Sequence, residues 1–535
     1  MTKPSETRTA EVVLLLVLAF VAGFSMMLVE VTATRLLAPH FGTSTYTWTN
    51  VIGAILAALA GGYYIGGRLA DRGAGLNTAL ALVAASGLLT AVVPGAALAL
   101  GRSLAPAADA IVSGGPLLVR GSLLVTLLVF VPPVVVMAVL SPLVVRLLSR
   151  SRPVGWASGA NSAVATFGAL LGTFAPTLWL VPAWGSRRTV FLAAGVQLMT
   201  AATGFVLARR WIPAGGTALF VVAVALASAL VSGPLAPAAG LVEERETEYQ
   251  YASVVKHGPT TRLLLDGQST GSQSVYTDGR FLTGGSLYDH VLLLPFLAQA
   301  EENRPLRVLV IGLAAGTMPR QYLHFHAPLR PVAITGVEID PVLVSLAERH
   351  FDLGYSVQRG LEVRTGDGRP FLAGAKGPYD VIFVDVFANQ FFIPFHLATR
   401  EFFALVRERL APGGVVGMNV IAHSLPSRLL TSLEDTLVDA FGSAARLRVP
   451  QSFNVMLMAR RDAPLDPLAA ARRIVDYPGP GREITEADAL RSTLLRGCEE
   501  VALIGPRAGA APLTDDRAPT EQLVLDDMRR TWIVR

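Results

Sequence analysis

Three carboxylates and a glycine-rich turn close four successive apolar runs in the second half of this chain, and residues of these types at this spacing could bind and act on a nucleoside. The runs are RVLVIGLAAG (307–316), ITGVEID (334–340), VRTGDGR (363–369) and YDVIFVD (379–385). After the first, Gly312 and Gly316 flank two alanines and let backbone pass close to a ligand. The second carries Glu338, about 25 residues on, the spacing at which a carboxylate takes both ribose hydroxyls. The third ends in Gly366-Asp367-Gly368, a short acceptor within reach of an adenine amine, and the fourth in Asp385, facing whatever reacts. The turn lacks the G-x-G-x-x-G spacing, which counts against a dinucleotide and leaves an adenosyl-sulfonium compound as the better ligand. Each feature alone has a plainer reading, a structural turn or a helix cap. Four at consecutive strand ends are hard to explain as packing.

Placing those groups side by side requires a parallel sheet. Each run has strand length and is followed by a helical pattern, the alternation of a sheet with crossover helices, and in such sheets ligands sit beyond the carboxyl ends of the strands. Helix 399–410, strand 415–421, helix 428–441 and paired strands 445–449 and 454–460 complete a seven-stranded α/β domain. Ahead of it EYQYASVV, TRLLLDG and SQSVY alternate as short strands, with Asp266-Gly267 as a hairpin turn.

The motifs VLVIG, VEIDP, GDGR, YDVIFVD and TREFFALVRERLAPGG together resemble the spermidine synthases (polyamine aminopropyltransferases), and in particular membrane-fused members, over 244–460. The resemblance implies a class I methyltransferase-like, Rossmann-type fold with a small β entry domain. It implies decarboxylated S-adenosylmethionine as co-substrate with no further cofactor or metal, a diamine such as putrescine as acceptor, and methylthioadenosine as product. On this pattern Asp385 is the catalytic base and Glu338 takes the ribose. Asp367 and the Gly368 backbone take the adenine, and Gln250 matches the glutamine that contacts the nucleoside. SLYDHVLLLPF (286–296) matches the helix bounding the amine pocket, with Tyr288 and Asp289 as substrate-binding groups or as an ordinary first helical turn. Pro394, His396 and LTDDRAPTEQL (513–523) are similar to membrane-fused relatives. Two positions depart from the pattern: Ala315 and Ala388 stand where the family has aspartates, the first of which binds the donor's primary amine. Losing such a contact costs about 2–5 kcal/mol. An S-adenosylmethionine-dependent methyltransferase, or a nucleoside-binding transporter or sensor without turnover, are therefore the competing readings.

The first half is a different material. The chain has 535 residues, is 52% hydrophobic and has a mean hydropathy of +0.49, too apolar for an ordinary soluble enzyme. Seven segments of membrane-spanning length fall at 12–36, 48–65, 79–100, 117–148, 154–180, 190–208 and 217–231, giving a multi-pass helical domain. The expected division is 1–240 transmembrane, 241–301 entry domain, 302–461 catalytic domain and 462–535 tail. Gly61 to Arg72 reads either as glycine-mediated helix packing or as a transporter-like loop motif. Of 45 basic and 40 acidic residues, 14 and 5 precede residue 242, so the positive excess belongs to the membrane half. That suits contact with a lipid bilayer and gives no case for nucleic acid. The lone Cys498 excludes an internal disulfide framework, and a homodimer is compatible with the chain.

Arg68, Arg72, Arg146, Arg150, Arg152, Arg209 and Arg210 would join the N-terminus inside, against chiefly Arg102, Arg120, Arg187 and Arg188 outside. Seven crossings would then carry the catalytic domain out of the cytoplasm. The expectation is that one crossing is miscounted, and that the protein is a multi-pass cell-membrane protein with a cytoplasmic catalytic domain.

Overall fold

With no water in the hydrocarbon to take backbone groups, the apolar first half satisfies them internally, as helices. The computed structural model describes residues 4–42, 44–104, 115–230, 233–266, 271–299, 303–387, 392–422, 426–477 and 485–533. The chain divides into two compact units, one of 1–106, 116–237 and 246–251, the other of the remaining residues. The first unit holds α1 (Pro4–Phe41), α2 (Thr45–Asp71), α3 (Leu76–Leu104), α4 (Gly115–Val125), α5 (Val131–Ala138), α6 (Leu140–Leu148), α7 (Val154–Ala175), α8 (Val181–Leu207) and α9 (Trp211–Leu230). Six described helical runs are long and apolar enough to cross a membrane, one of them the 54-residue stretch Val154–Leu207. Gly185 breaks that stretch with φ 79° and ψ 164°, backbone that favours glycine. Each half has the length of a span, so the run accounts for two crossings. The Pro132-Pro133 pair follows a π-helical turn, Thr126–Phe130, that links α4 to α5.

The direction of each crossing is fixed by which buried residues share an end. One end buries Leu18 of α1, Ala70 of α2, Leu80 of α3, Leu147 of α6, Ala157 of α7, Phe205 of α8 and Ala214 of α9. The other buries Leu36 of α1, Val51 of α2, Val93 of α3, Val125 of α4, Val190 of α8 and Leu235. Every span reverses the one before it. Among the described residues this gives seven helical stretches of spanning length, and Leu235, just past α9, lies at the end away from the start of α1. Glycines let the helices approach: a β-carbon on Gly168 or Gly172 would come within 2.2 Å of the carbonyl oxygens of Phe20 and Phe24 on α1. Gly62 and Gly66 likewise meet Ala138 and Val139, so in this motif the glycines that face a neighbour serve packing.

In the second unit β1 (Leu241–Glu246), β2 (Tyr251–His257), β3 (Thr260–Leu265) and β4 (Ser274–Thr277) form a small sheet in sequential order. Gly267 of the expected hairpin turn lies outside the described residues. The main sheet runs β12-β10-β11-β9-β8-β5-β6-β7, from β5 (Leu306–Ile311), β6 (Val332–Glu338), β7 (Leu361–Thr365), β8 (Tyr379–Val384), β9 (Leu410–Ile421), β10 (Ala444–Arg448), β11 (Asn454–Arg460) and β12 (Ala502–Ile504). β7, β6, β5, β8 and β9 are mutually parallel, and β11, β10 and β12 add antiparallel. The sheet therefore has eight strands where seven are expected. The extra one is three residues from the tail, too short to carry a period of two. Order reverses between β5 and β8, opening a crevice at their carboxyl ends. At the opposite ends the fully buried Asp380 accepts Arg304 Nη1 and Nη2 at 2.7 and 2.5 Å and the Arg307 backbone N–H at 2.9 Å, pinning β8 to β5.

An odd number of crossings makes a prediction independent of which side is which. An epitope tag fused ahead of residue 1 and another inserted after Gly233 should lie on opposite sides of the membrane. In intact spheroplasts an impermeant protease should reach one tag and spare the other, and equal accessibility of both would refute seven crossings.

Candidate active site

The crevice begins with two strand ends in close approach. After β5 the chain turns through Gly312, Ala314 and Gly316 with φ of 90°, 48° and 81° and enters the helix Thr317–Phe325. The Asp385 N–H donates to the Ile311 carbonyl at 2.9 Å, and a β-carbon on Gly312 would stand 2.1 Å from the Asp385 carbonyl oxygen. The contact Gly312 makes is thus with the backbone at the end of β8. Gly368 is similar: its β-carbon would meet Ile311 Cγ2 at 2.2 Å, so it is a packing glycine against β5.

Glu338, at the tip of β6, turns back toward this turn. It accepts the N–H of Ala314 at 2.8 Å and of Asp340 at 3.1 Å and is only 6% exposed. Burial pushes its carboxyl up to about 7 against the pull of those N–H groups. Asp340 caps the helix Pro341–His350, accepting Val342 N–H at 3.0 Å.

Asp385, at the tip of β8, keeps some exposed area yet is deeply surrounded, and burial pushes its carboxyl up to about 6, opposed by a hydrogen bond from Asn419. Asn419 Nδ2 donates to Asp385 Oδ1 at 2.8 Å. Tyr288, on the helix Leu287–Val291, donates its hydroxyl to the Gln273 carbonyl. Burial, the charge of Asp385 and contact with Ser274 act on its phenol, whose pKa is raised well above the ordinary value. Ser274 in turn accepts the Ala315 N–H at 2.9 Å. The structure so brings Glu338, the 312–316 turn, Asp385 and Tyr288 to one edge of the sheet.

Other expected site residues have different work. Asp289 is 2% exposed, and its two oxygens accept Thr283 N–H (2.9 Å), Thr283 Oγ1 (2.8 Å), Gly285 N–H (2.7 Å) and Gln321 Nε2 (2.7 Å). It fixes the loop before Tyr288. Asp367 caps the helix Gly368–Gly374 by accepting Arg369 N–H at 2.8 Å, with its other oxygen 3.4 Å from His396 Nε2. Gln250 belongs to the Glu246–Tyr251 segment that is grouped with the first unit. Ala388 lies outside the described residues.

The tail, for which the sequence offers no role, braces the segment after Asp385. Asp515 accepts Arg369 Nη1 and Nη2 at 2.8 and 2.6 Å and Thr399 Oγ1 at 2.6 Å. The Arg369 guanidinium holds its carboxyl down to about 2. Thr520 Oγ1 donates to the Ile393 carbonyl at 3.0 Å, and Arg400 N–H to that of Leu513 at 2.8 Å. Asn419 was legible in principle, as the one amide in the buried strand VVGMNVI.

A doubly wound sheet with a glycine turn after its first parallel strand and acidic groups at the tips of its second, third and fourth (Glu338, Asp367 and Asp385) has the class I methyltransferase-like architecture. Residues 292–448 match the spermine/spermidine synthase domain, so the α/β unit carries a domain of that kind. The chain is 33% identical over 295 residues to a probable polyamine aminopropyl transferase of Bifidobacterium longum, covering 53% of this chain and 62% of that one. It is 36% identical over 151 residues to a polyamine aminopropyltransferase of Vibrio vulnificus, covering 28% and 48%. It thus spans between about half and three-fifths of the length of these two relatives. Among solved structures, a probable spermidine synthase from Corynebacterium glutamicum aligns with a TM-score of 0.38 and 21% identity over 52% of this chain and 97% of that one.

The buried Glu338 predicts a specific pH signature. Its folded pKa stands above the model-peptide value of 4.5, so the native state holds a proton that the unfolded chain releases. Its contribution is complete below 4.5 and lost as pH rises through about 7. Glu338→Gln cannot ionise, so its stability relative to wild type should climb across that window in denaturant titrations. A difference that does not vary with pH would refute the buried, proton-holding carboxyl.

Proposed function

We propose that the α/β unit is a polyamine aminopropyltransferase, moving an aminopropyl group from decarboxylated S-adenosylmethionine to a diamine such as putrescine. The observation that carries this is Asp385: a carboxyl raised to about 6, at the switch point, beside Tyr288 and in the same crevice as Glu338. In the reaction the amine nitrogen attacks the methylene carbon next to the sulfonium, the carbon–sulfur bond breaks, and its electron pair leaves on sulfur as neutral methylthioadenosine. The nitrogen's surplus proton passes to Asp385, which at neutral pH is largely ionised and basic enough to accept it. Glu338 takes the ribose hydroxyls, and Tyr288 lines the amine side. The Asp367 end of β7 lies toward the adenine, with Gly368 shaping the floor by its packing on Ile311.

Ala315 favours a second reading. Its buried methyl stands where a carboxylate would meet the donor's amine, and a methyltransferase needs no such contact. Products separate the two. Purified protein given decarboxylated S-adenosylmethionine and putrescine should release methylthioadenosine, and Asp385→Asn should lower kcat by about 10²–10⁴-fold. S-adenosylhomocysteine formed from S-adenosylmethionine, with no methylthioadenosine above the mutant level, would replace this reading with the second.

The reading also assigns the α/β unit to the cytoplasmic face of the cell membrane, where adenosyl-sulfonium donors are made. Seven crossings then put the N-terminus outside, against the arginine distribution, so the side reached by a C-terminal tag is a direct check. A tag found outside would leave the enzyme without its donor and overturn the assignment.

A further inference from the structure

Asn419 sits in a strand whose neighbours Val415, Val416, Met418 and Val420 are all buried, and is itself 5% exposed. An amide there is tolerable only if both of its ends are hydrogen-bonded. They are. Nδ2 donates to Asp385 Oδ1 and Oδ1 accepts Nδ2 of Asn454, each at 2.8 Å. Asn454 Oδ1 accepts Ser452 Oγ at 2.6 Å, and Ser452 Oγ accepts the Asn454 backbone N–H at 3.0 Å. The three side chains form one line from the 452–454 turn, across β11 and β9, to the tip of β8.

A carboxamide has nearly the same shape after a half-turn that swaps its oxygen and nitrogen, so shape alone does not say which end faces Asp385. The far end of the line does. Ser452 Oγ accepts the Asn454 backbone N–H, and its 2.6 Å contact with the Asn454 carboxamide has the length of an O–H···O bond and is shorter than an N–H···O bond, so its single proton goes to Asn454 Oδ1. That turns the Asn454 amino group to Asn419 Oδ1, and the Asn419 amino group to Asp385.

We propose that Asn454 and Ser452 are positioning residues that act through Asn419 to keep an N–H donor on Asp385 Oδ1, leaving Oδ2 as the oxygen that meets the amine. The role in catalysis rests on Asp385 being the base, as proposed above; the orientation of the line does not. Without Asn454, Asn419 is free to present its own oxygen, which is satisfied only by a protonated Asp385. The groups that reach Asp385 from the packed elements are Tyr288, whose phenol is held neutral by burial, and Asn419, which is uncharged with Asn454 behind it.

The test is an infrared titration of the Asp385 carboxylate in the full-length protein, taken as the difference between each protein and the same protein carrying Asp385→Asn. Asn454→Ala should move the midpoint up by about one pH unit, and the milder Ser452→Ala should move it in the same direction by less. The acid limb of kcat/KM should follow. If Asn454→Ala fails to fold, Ser452→Ala decides alone; an unmoved midpoint overturns the proposal even if methylthioadenosine is made. Absence of methylthioadenosine from wild type counts against the proposed reaction and leaves the midpoint shift to be read by itself.

Discussion

The close approach of the β5 and β8 ends is the constraint on which the site depends. These strands are neighbours in space but are separated in sequence by two strand-helix units, and they can meet only where the chain has no side chain in the way. Gly312 supplies that place, since a β-carbon there would stand 2.1 Å from the Asp385 carbonyl oxygen. The contact aligns Asp385 with the turn and, through the Ala314 N–H, sets Glu338 on its other flank. The buried Asp380 ion pair holds the same two strands at their far ends.

The approach also has an energetic consequence. Closing the sheet over two carboxyl groups removes water from both, which is why their pKa values rise to about 7 and about 6. A protein built only for stability would place neutral or apolar groups there. Two carboxyls at one sheet edge that titrate near neutral pH are instead what proton transfer there requires.

How much of this was legible in the sequence differs by residue, for physical reasons. Glu338 and Asp385 close long apolar runs, and the period of those runs fixes where each strand ends. Their placement was readable because strand length and sheet direction determine it. Asp367 also closes such a run and Asp289 opens a helix, yet the structure gives one oxygen of Asp367 to the Arg369 N–H and both of Asp289 to the Thr283 and Gly285 N–H groups. A carboxylate that can reach unpaired N–H groups within a few residues will do so, and a one-dimensional reading does not reveal whether the loop folds back. The partners of Asn419, Asn454 and Asp515 lay beyond reach for a different reason, although Asn419 itself stands out as the one amide in a buried strand. Their partners are 34, 35 and 146 residues away in sequence, and only the folded sheet brings them together.

The same accounting of oxygens bears on Ala315. If the donor carries a primary amine, the carboxylate missing at this turn must be replaced or done without. Asp289 is the nearest acid in sequence to Tyr288, but its two oxygens already serve donors on Thr283, Gly285 and Gln321. Turning it to a ligand would unmake the loop that leads to Tyr288. The turn itself is committed as well, its Ala315 N–H to Ser274 and its Ala314 N–H to Glu338. Donor affinity must then come chiefly from the nucleoside side, through Glu338 and the strand tips. On the proposed reaction, charge recognition of the amine would fall to Asp385, which would both hold the reacting groups and receive the proton. Combining the two duties in one carboxylate makes its orientation matter more than in a site that divides them.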